Sequence, residues 1–222
     1  ARIESGEWSP ATFVKAMRSR VDRSIAGIRW DDLASAAEIA APTEQVVFRL
    51  QQKAYGAAFQ RDVELRDRYG DRGGPGPRAF EKVHGDATDW VKASEDLLFV
   101  RKRAEGLSEL LFAKLVLDEF DLKRPTLDKL RAMFAAKRGQ RAIDIMLAEF
   151  RKAGLSSRVA DVSICGAVHP YNDLLGGKLV ALMLTSREVR DAYGRRYGGQ
   201  VSVIASQMAG RPVIKPAKLD VL

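Results

Sequence analysis

The feature that most constrains the fold is an apolar series between Trp90 and Leu111. Its members recur at alternating steps of three and four residues: Trp90, Ala93, Leu97, Val100, Ala104, Leu107 and Leu111. This spacing places them on one side of an α-helix and predicts a long helix from about Asp86 to Asp118. Such a seam needs a partner. We expect this seam to form part of the intramolecular core, where its helix packs against a second helix in a long antiparallel pair. The alternative is that the seam forms a dimer interface.

The partner helix is predicted to begin after Pro42 and Thr43. Thr43 serves as its cap, and its apolar face repeats at steps of three and four through Val47, Leu50, Ala54 and Ala57. The glycine- and proline-rich stretch 69–77 then forms a loop or linker. Upstream, Ser9 and Pro10 have the form of a cap and first helical residue, which predicts a helix to about Gly27. A short helix is expected after Asp31.

The later part of the chain changes character. Thr126 predicts a helix to about Gly139, and a further helix is expected to end at Gly154. Residues 161–168 then alternate between polar and apolar, which is typical of a half-buried strand. An amphipathic helix over 175–193 and strands at 201–204 and 212–214 complete the prediction.

The predicted fold class is therefore α+β, with a helical N-terminal region followed by a small mixed sheet. We divide the chain into a helical region over 1–85, a long helix and bundle over 86–157, and an α/β region over 158–222. The chain stops just after a predicted strand, so we expect the sheet to be incomplete at its C-terminal end.

Composition narrows the class of protein. Hydrophobic residues make up 46% and charged residues 30%, which favours a globular chain. Cys165 is the single cysteine, so an internal disulfide is excluded and a reducing, cytoplasmic location is expected. No apolar run approaches the ~20 residues of a membrane span. We expect no membrane partner.

Charge is unevenly distributed. Of the net +8, residues 1–100 carry 15 basic and 16 acidic groups, whereas residues 101–222 carry 22 basic and 13 acidic groups. This excess is typical of a polyanion binder, although separately solvated clusters would give the same count. The candidate nucleic-acid ligands are Arg101, Lys102, Arg103, Lys137, Arg138, Arg141, Arg195 and Arg196.

A second candidate site lies where the predicted strand meets the 175–193 helix. Gly176, Gly177 and Lys178, together with Asn172, favour an anion such as a phosphate at the helix N-terminus. The alternative is that the glycines allow close packing of helix on strand. His169 at the strand end is a candidate general base.

This strand–glycine–helix layout resembles the central motif of the GNAT acetyltransferases. The resemblance implies a GNAT-like α/β region that binds acyl-CoA through its pyrophosphate. The aligned positions are Asn172, Leu175 and Gly177, and Leu175 stands where the family has glycine. That departure argues against acyl-CoA.

A closer resemblance is to the DruA-type family of Druantia anti-phage systems, which also occurs beside mobile elements. It is carried by residues 96–104, by the block Cys165–Asn172, by Leu174–Ala181 and by Ser186–Val189, with further matches at 196–197 and 204–206. The family usually has proline where this chain has His169 and Arg187.

Three functions follow as alternatives. The resemblance and the basic half together predict a component of a bacterial defence or mobile-element-linked system that binds nucleic acid and other defence proteins. A GNAT-like acyltransferase and an architectural subunit of a defence complex are the alternatives.

Overall fold

The structure is a computed structural model that describes residues 8–69, 88–155, 158–162, 169 and 177–220. The described residues form ten α-helices. In chain order they are α1 (Pro10–Ala26), α2 (Ala36–Ala40), α3 (Glu44–Tyr69), α4 (Trp90–Ala93), α5 (Leu97–Glu119), α6 (Leu127–Ala135), α7 (Lys137–Leu155), α8 (Gly177–Met183), α9 (Arg187–Tyr197) and α10 (Val203–Ala209).

The chain forms two compact units. The first comprises Ala1–Phe150 together with Val203–Pro212, and the second comprises Arg151–Ser202 together with Val213–Leu222. Both units are therefore discontinuous in sequence. The three-region division made from the sequence stays a prediction.

The first unit is built around α5. Apolar side chains on every side of this helix are buried, including Leu107 and Leu111 of the predicted seam. The main partner of α5 is α3. Arg138 bonds both Glu44, the first residue of α3, and Glu119, the last residue of α5. The start of α3 thus lies beside the end of α5, which is the antiparallel pair that the spacing predicted. None of the helices in the described ranges is long and apolar enough to cross a bilayer.

Helix starts agree with the predicted caps. Ser9 Oγ accepts a hydrogen bond from the Thr12 amide at 3.1 Å, and Pro10 occupies the first turn, where its missing N–H is not needed. Thr126 caps α6 in the same way, accepting from the Lys129 amide at 3.3 Å. These caps act within one turn, so they can be recognised from the local sequence.

The single helix predicted from Asp86 to Asp118 is wrong in one respect. A turn at residues 94–96 divides it into α4 and α5. Asp89 Oδ1 accepts from the Lys92 amide at 3.0 Å, and Asp96 Oδ1 accepts from the Leu98 amide at 2.8 Å. Each aspartate satisfies an amide at a helix start, and the Asp96 cap is the one that interrupts the apolar seam.

The predicted helix end at Gly139 is also wrong, because α6 ends at Ala135 and Gly139 lies inside α7. The end predicted at Gly154 agrees to within one residue with the last residue of α7, Leu155, although Gly154 itself is helical. A methyl group at Gly139 would overlap the backbone carbonyl of Met133, so this glycine permits α6 and α7 to approach closely. At Gly154 a methyl group would meet no described atom within 4 Å.

The α+β assignment is contradicted, because the described part of the chain contains helices and no strand or sheet. The predicted strand 201–204 is replaced by α10, which begins at Val203. An isolated antiparallel bridge joins Val201 to Ile214, with the Ser202 amide donating to the Val213 carbonyl at 2.8 Å. Most of the predicted strand 161–168 lies outside the described residues. The GNAT-like mixed sheet is therefore not supported.

The helix predicted over 175–193 is replaced by two helices. Ser186 caps α9 by accepting from the Val189 amide at 3.4 Å. This cap separates α8 from α9. The amphipathic spacing continued across the break, which is why the sequence suggested one helix.

The last helix, α10, belongs to the first unit. It packs against α4 and α5, and Ser206 and Ala209 are buried there. The Arg29 amide donates to the Met208 carbonyl at 2.8 Å, which joins α10 to the segment after α1. The first unit thus includes a segment that follows residues 151–202 of the second unit in sequence.

Candidate functional site

Arg103 is one of the eight predicted nucleic-acid ligands, and it has no exposed surface. Its guanidinium makes a bidentate pair with Asp32, at 2.6 Å to Oδ1 and 2.8 Å to Oδ2. It also donates to the Ser94 carbonyl at 3.2 and 2.9 Å and to the Arg29 carbonyl at 2.8 Å. These five hydrogen bonds match the five N–H groups that an arginine offers. Arg103 therefore has a structural role and no donor left for a surface ligand.

A second arginine extends the same polar cluster. Arg29 donates to Ser94 Oγ at 2.8 Å, to Glu95 at 3.1 Å and to Asp31 at 3.1 Å. Burial raises the pKa of Asp32, but hydrogen bonds and charge from Arg103 outweigh it, so this pKa is lowered overall. Asp32 is thus ionised at neutral pH and neutralises Arg103.

Three cations lie near the start of α7. Arg138 and Arg141 both lie over the ring of Phe112, at 5.2 and 5.0 Å from its centroid. Arg138 is also paired with Glu44 and Glu119, and the hydrogen bond that it donates to Glu44 is the main reason that its pKa is raised. Lys137 and Arg141 are exposed and have no ion pair within the described residues. Neither charge is balanced by a carboxylate in the described part of the chain.

Arg101 and Lys102 lie on the first turns of α5 and are exposed. Arg101 approaches Glu105 at 3.7 Å, and Lys102 lies over the Phe99 ring at 5.4 Å. Along α5, Lys102 and Phe112 are separated by about 15 Å at 1.5 Å per residue. The structure thus holds the predicted cations of the first unit in two separate groups.

Arg195 and Arg196 lie in the second unit, in the last turn of α9. Both are exposed, and neither forms an ion pair with a described residue. Cations at a helix C-terminus interact favourably with the helix dipole, so their position also suits α9 itself. Arg187 of the same helix is paired with Asp191 at 3.4 Å.

The predicted anion site falls mostly outside the described residues. This holds for Asn172, for Gly176 and for the side chain of Lys178. Gly177 begins α8, and a methyl group there would meet no described atom within 4 Å, so close packing in the described part does not require this glycine. His169 is exposed, and the residues next to it on both sides are not described. The phosphate and base roles stay predictions.

Sequence reasoning assigned Arg103 to the surface and overlooked its partners Asp32 and Ser94. A signal was present, because Arg103 lies four residues after Phe99 and four before Leu107, and both of these are buried. A buried arginine on the apolar stripe of a helix needs a carboxylate partner, and the partly exposed Asp32 supplies it.

Comparison with known proteins gives a partial match over the later part of the chain. Residues 142–214, from within α7 to the end of the bridge at Ile214, match one protein family. That family is described as Druantia protein DruA. The blocks noted at 165–189 lie inside the matched range, and residues 96–104 lie outside it.

A curated relative agrees with the family match. Druantia protein DruA of Escherichia coli (strain UMEA 4076-1) is 47% identical over 47 residues. The aligned stretch is 21% of this chain and 12% of that protein, so the similarity covers a small part of the relative. No solved structure matches this chain.

Proposed function

We propose that this protein is a component of a Druantia-type anti-phage defence system and that it binds nucleic acid through exposed cations of both units. The defence assignment is supported by the family match over residues 142–214. The binding assignment is supported by one observation above all: several cations are exposed and lack a carboxylate partner among the described residues. Among the eight predicted ligands, these cations are Lys102, Lys137, Arg141, Arg195 and Arg196.

The structure changes which residues carry this proposal. Arg103 is no longer among the proposed nucleic-acid ligands, because it is buried. Arg138 contributes little to binding, because two carboxylates already balance its charge. Contacts of this kind are to phosphates, so they carry no sequence information. We therefore expect binding that depends strongly on salt and weakly on sequence.

The experiment is a fluorescence-polarisation titration of the full chain with labelled duplex and single strands between about 50 and 200 mM salt. The test variant is Lys102→Glu, Lys137→Glu, Arg141→Glu. The matched control is Lys53→Glu, Arg66→Glu, Arg131→Glu, which makes the same change in net charge at exposed cations elsewhere in the first unit.

We expect the test variant to bind about tenfold more weakly or worse at low salt, because it loses phosphate contacts. Each lost contact should also reduce the salt slope measured on duplex by about 0.9. The dissociation constant of the control variant should stay within about twofold of the wild-type value. If the wild-type chain binds neither strand form at low salt, the nucleic-acid proposal fails. An architectural role in a defence complex would then replace it.

A further inference from the structure

The first hundred residues are nearly neutral as a whole, yet α1 is strongly basic and forms one side of an open groove. The groove runs along the face of α1 between Ala11 and Ala26, and its other wall is the turn that follows α5, at Leu122, Lys123 and Pro125. Its volume is about 780 Å³. Sixteen carboxylates counted over residues 1–100 concealed this local excess.

Four cations and one carboxylate line this α1 groove: Lys15, Arg18, Asp22, Arg23 and Lys123. Arg18 is bonded to Asp118 at 2.8 Å, and Asp22 approaches Lys114 at 3.8 Å. The remaining cations, Lys15, Arg23 and Lys123, are exposed and have no ion pair within the described ranges. Arg23 Nε donates only to the Ser19 carbonyl of its own helix, at 3.1 Å.

The cations are spread along the groove. Lys15 and Arg23 are eight residues apart on α1, which corresponds to about 12 Å of helix. One strand of a nucleic acid rises about 3.4 Å per nucleotide, so this distance spans three to four phosphates. A row of free cations at this spacing is complementary to an extended backbone of negative charge.

The charge of the groove lining favours a phosphate backbone. The lining carries four cations against one carboxylate, and phosphate oxygens are bound largely by Arg and Lys side chains. Ser19 also lines the groove and is exposed, and a hydroxyl group is a further phosphate donor. Apolar residues line the groove as well, among them Ala11, Ala26 and Pro125, so an acidic protein segment is the alternative occupant that the test distinguishes.

We propose that the α1 groove is a second binding surface for the phosphate backbone of a nucleic acid. The proposal rests on the proposed nucleic-acid function and adds to it a surface in the N-terminal part of the chain. The groove and the cations around Lys102 and Lys137 then act as separate phosphate contacts on one protein.

The test uses the full chain with Lys15→Glu, Arg23→Glu, Lys123→Glu. Its matched control is again Lys53→Glu, Arg66→Glu, Arg131→Glu, and circular dichroism melts check that each variant is folded. The probes are a labelled duplex and a labelled single strand, titrated by polarisation from about 50 to 200 mM salt. Poly-glutamate of equal charge serves as the competitor that represents an acidic protein.

We expect the groove variant to bind oligonucleotide at least roughly tenfold more weakly at low salt, with a duplex salt slope smaller by up to about 2.7, and the control to resemble wild type. Suppose that the groove variant binds oligonucleotide like the control, while the variant Lys102→Glu, Lys137→Glu, Arg141→Glu binds it more weakly than wild type. This inference alone is then overturned. If poly-glutamate binds wild type and the groove variant loses only that binding, the groove serves an acidic protein and the inference is again overturned. Absence of all oligonucleotide binding by wild type overturns both proposals.

Discussion

Arg101 and Arg103 are two residues apart on α5, and their side chains have opposite roles. Arg101 is exposed beside Glu105, whereas Arg103 is buried and uses every donor on Asp32, Ser94 and Arg29. A buried ion pair does not guarantee net stability, because desolvation offsets much of the attraction. Removing only one partner, however, leaves an uncompensated charge and unsatisfied carbonyls.

The first prediction compares Arg103→Met with Arg101→Met. We expect Arg103→Met to lower the free energy of unfolding by about 3 kcal/mol, the low end for a broken buried pair, because the Asp32 side chain is 30% exposed. Arg101→Met should change it by less than about 0.5 kcal/mol. Arg103→Lys keeps the charge but offers fewer donors, so it should restore only part of the loss. Chemical denaturation measures all three, and equal costs at the two positions would contradict the role of Arg103.

At the scale of elements, helix starts were predicted better than the breaks between helices. Helix starts were correct where a cap bonds an amide within one turn, as Ser9 and Thr126 do. The break at residues 94–96 was missed because the apolar spacing continues across it, although Asp96 is itself a local cap. This turn also makes a contact that is distant in sequence, from Arg29 to Ser94 Oγ, which the local sequence does not reveal.

The error at residues 201–204 has a related cause. Val201, Val203 and Ile204 favour a strand by propensity, but β-propensity reflects packing against neighbouring strands, which the described residues do not provide. The chain instead forms α10, whose residues Ser206 and Ala209 are three apart and buried together. The candidate cations were predictable as charges, and the burial of Arg103 could be read from its place between Phe99 and Leu107. Its pairing with Asp32 could not, because the two residues are far apart in sequence.

The second prediction uses two glycines of α7. Gly139→Ala should lower the free energy of unfolding by about 1–3 kcal/mol, because the methyl group would overlap the Met133 carbonyl. Gly154→Ala should be neutral or raise it by up to about 1 kcal/mol, because the space is open and alanine is the better helix former. Thermal unfolding of the two variants provides the comparison. A stabilising effect of alanine at both positions would show that α6 and α7 are not in close contact.

At the scale of the whole molecule, the first unit is completed by a late segment. Arg211 donates to the Ala26 carbonyl at 3.3 Å, and Gly210 approaches the side chain of Arg29. Gly210 has φ 64°, a left-handed conformation that glycine adopts without strain. The turn after α10 is therefore fixed to the segment that follows α1.

The third prediction compares Gly210→Ala with Gly199→Ala. Both glycines have positive φ, so each alanine substitution should lower the free energy of unfolding by about 1–2 kcal/mol through backbone strain. At Gly210 the new Cβ would also lie 2.6 Å from Arg29 Cδ, whereas at Gly199 it would meet nothing within 4 Å. We expect the Gly210 variant alone to speed hydrogen exchange at the Arg29 amide, which bonds to Met208. Equal protection of this amide in the two variants would contradict the attachment of α10.

The attachment of α10 has a consequence for synthesis. The Arg29 amide and its acceptor, the Met208 carbonyl, are far apart in the order in which a ribosome adds residues. At about 5–20 residues per second, roughly 10–35 s pass between the two additions. During that interval the nascent first unit exposes the surface that α10 later covers, so the polypeptide emerging from the exit tunnel has a period in which a chaperone can bind it.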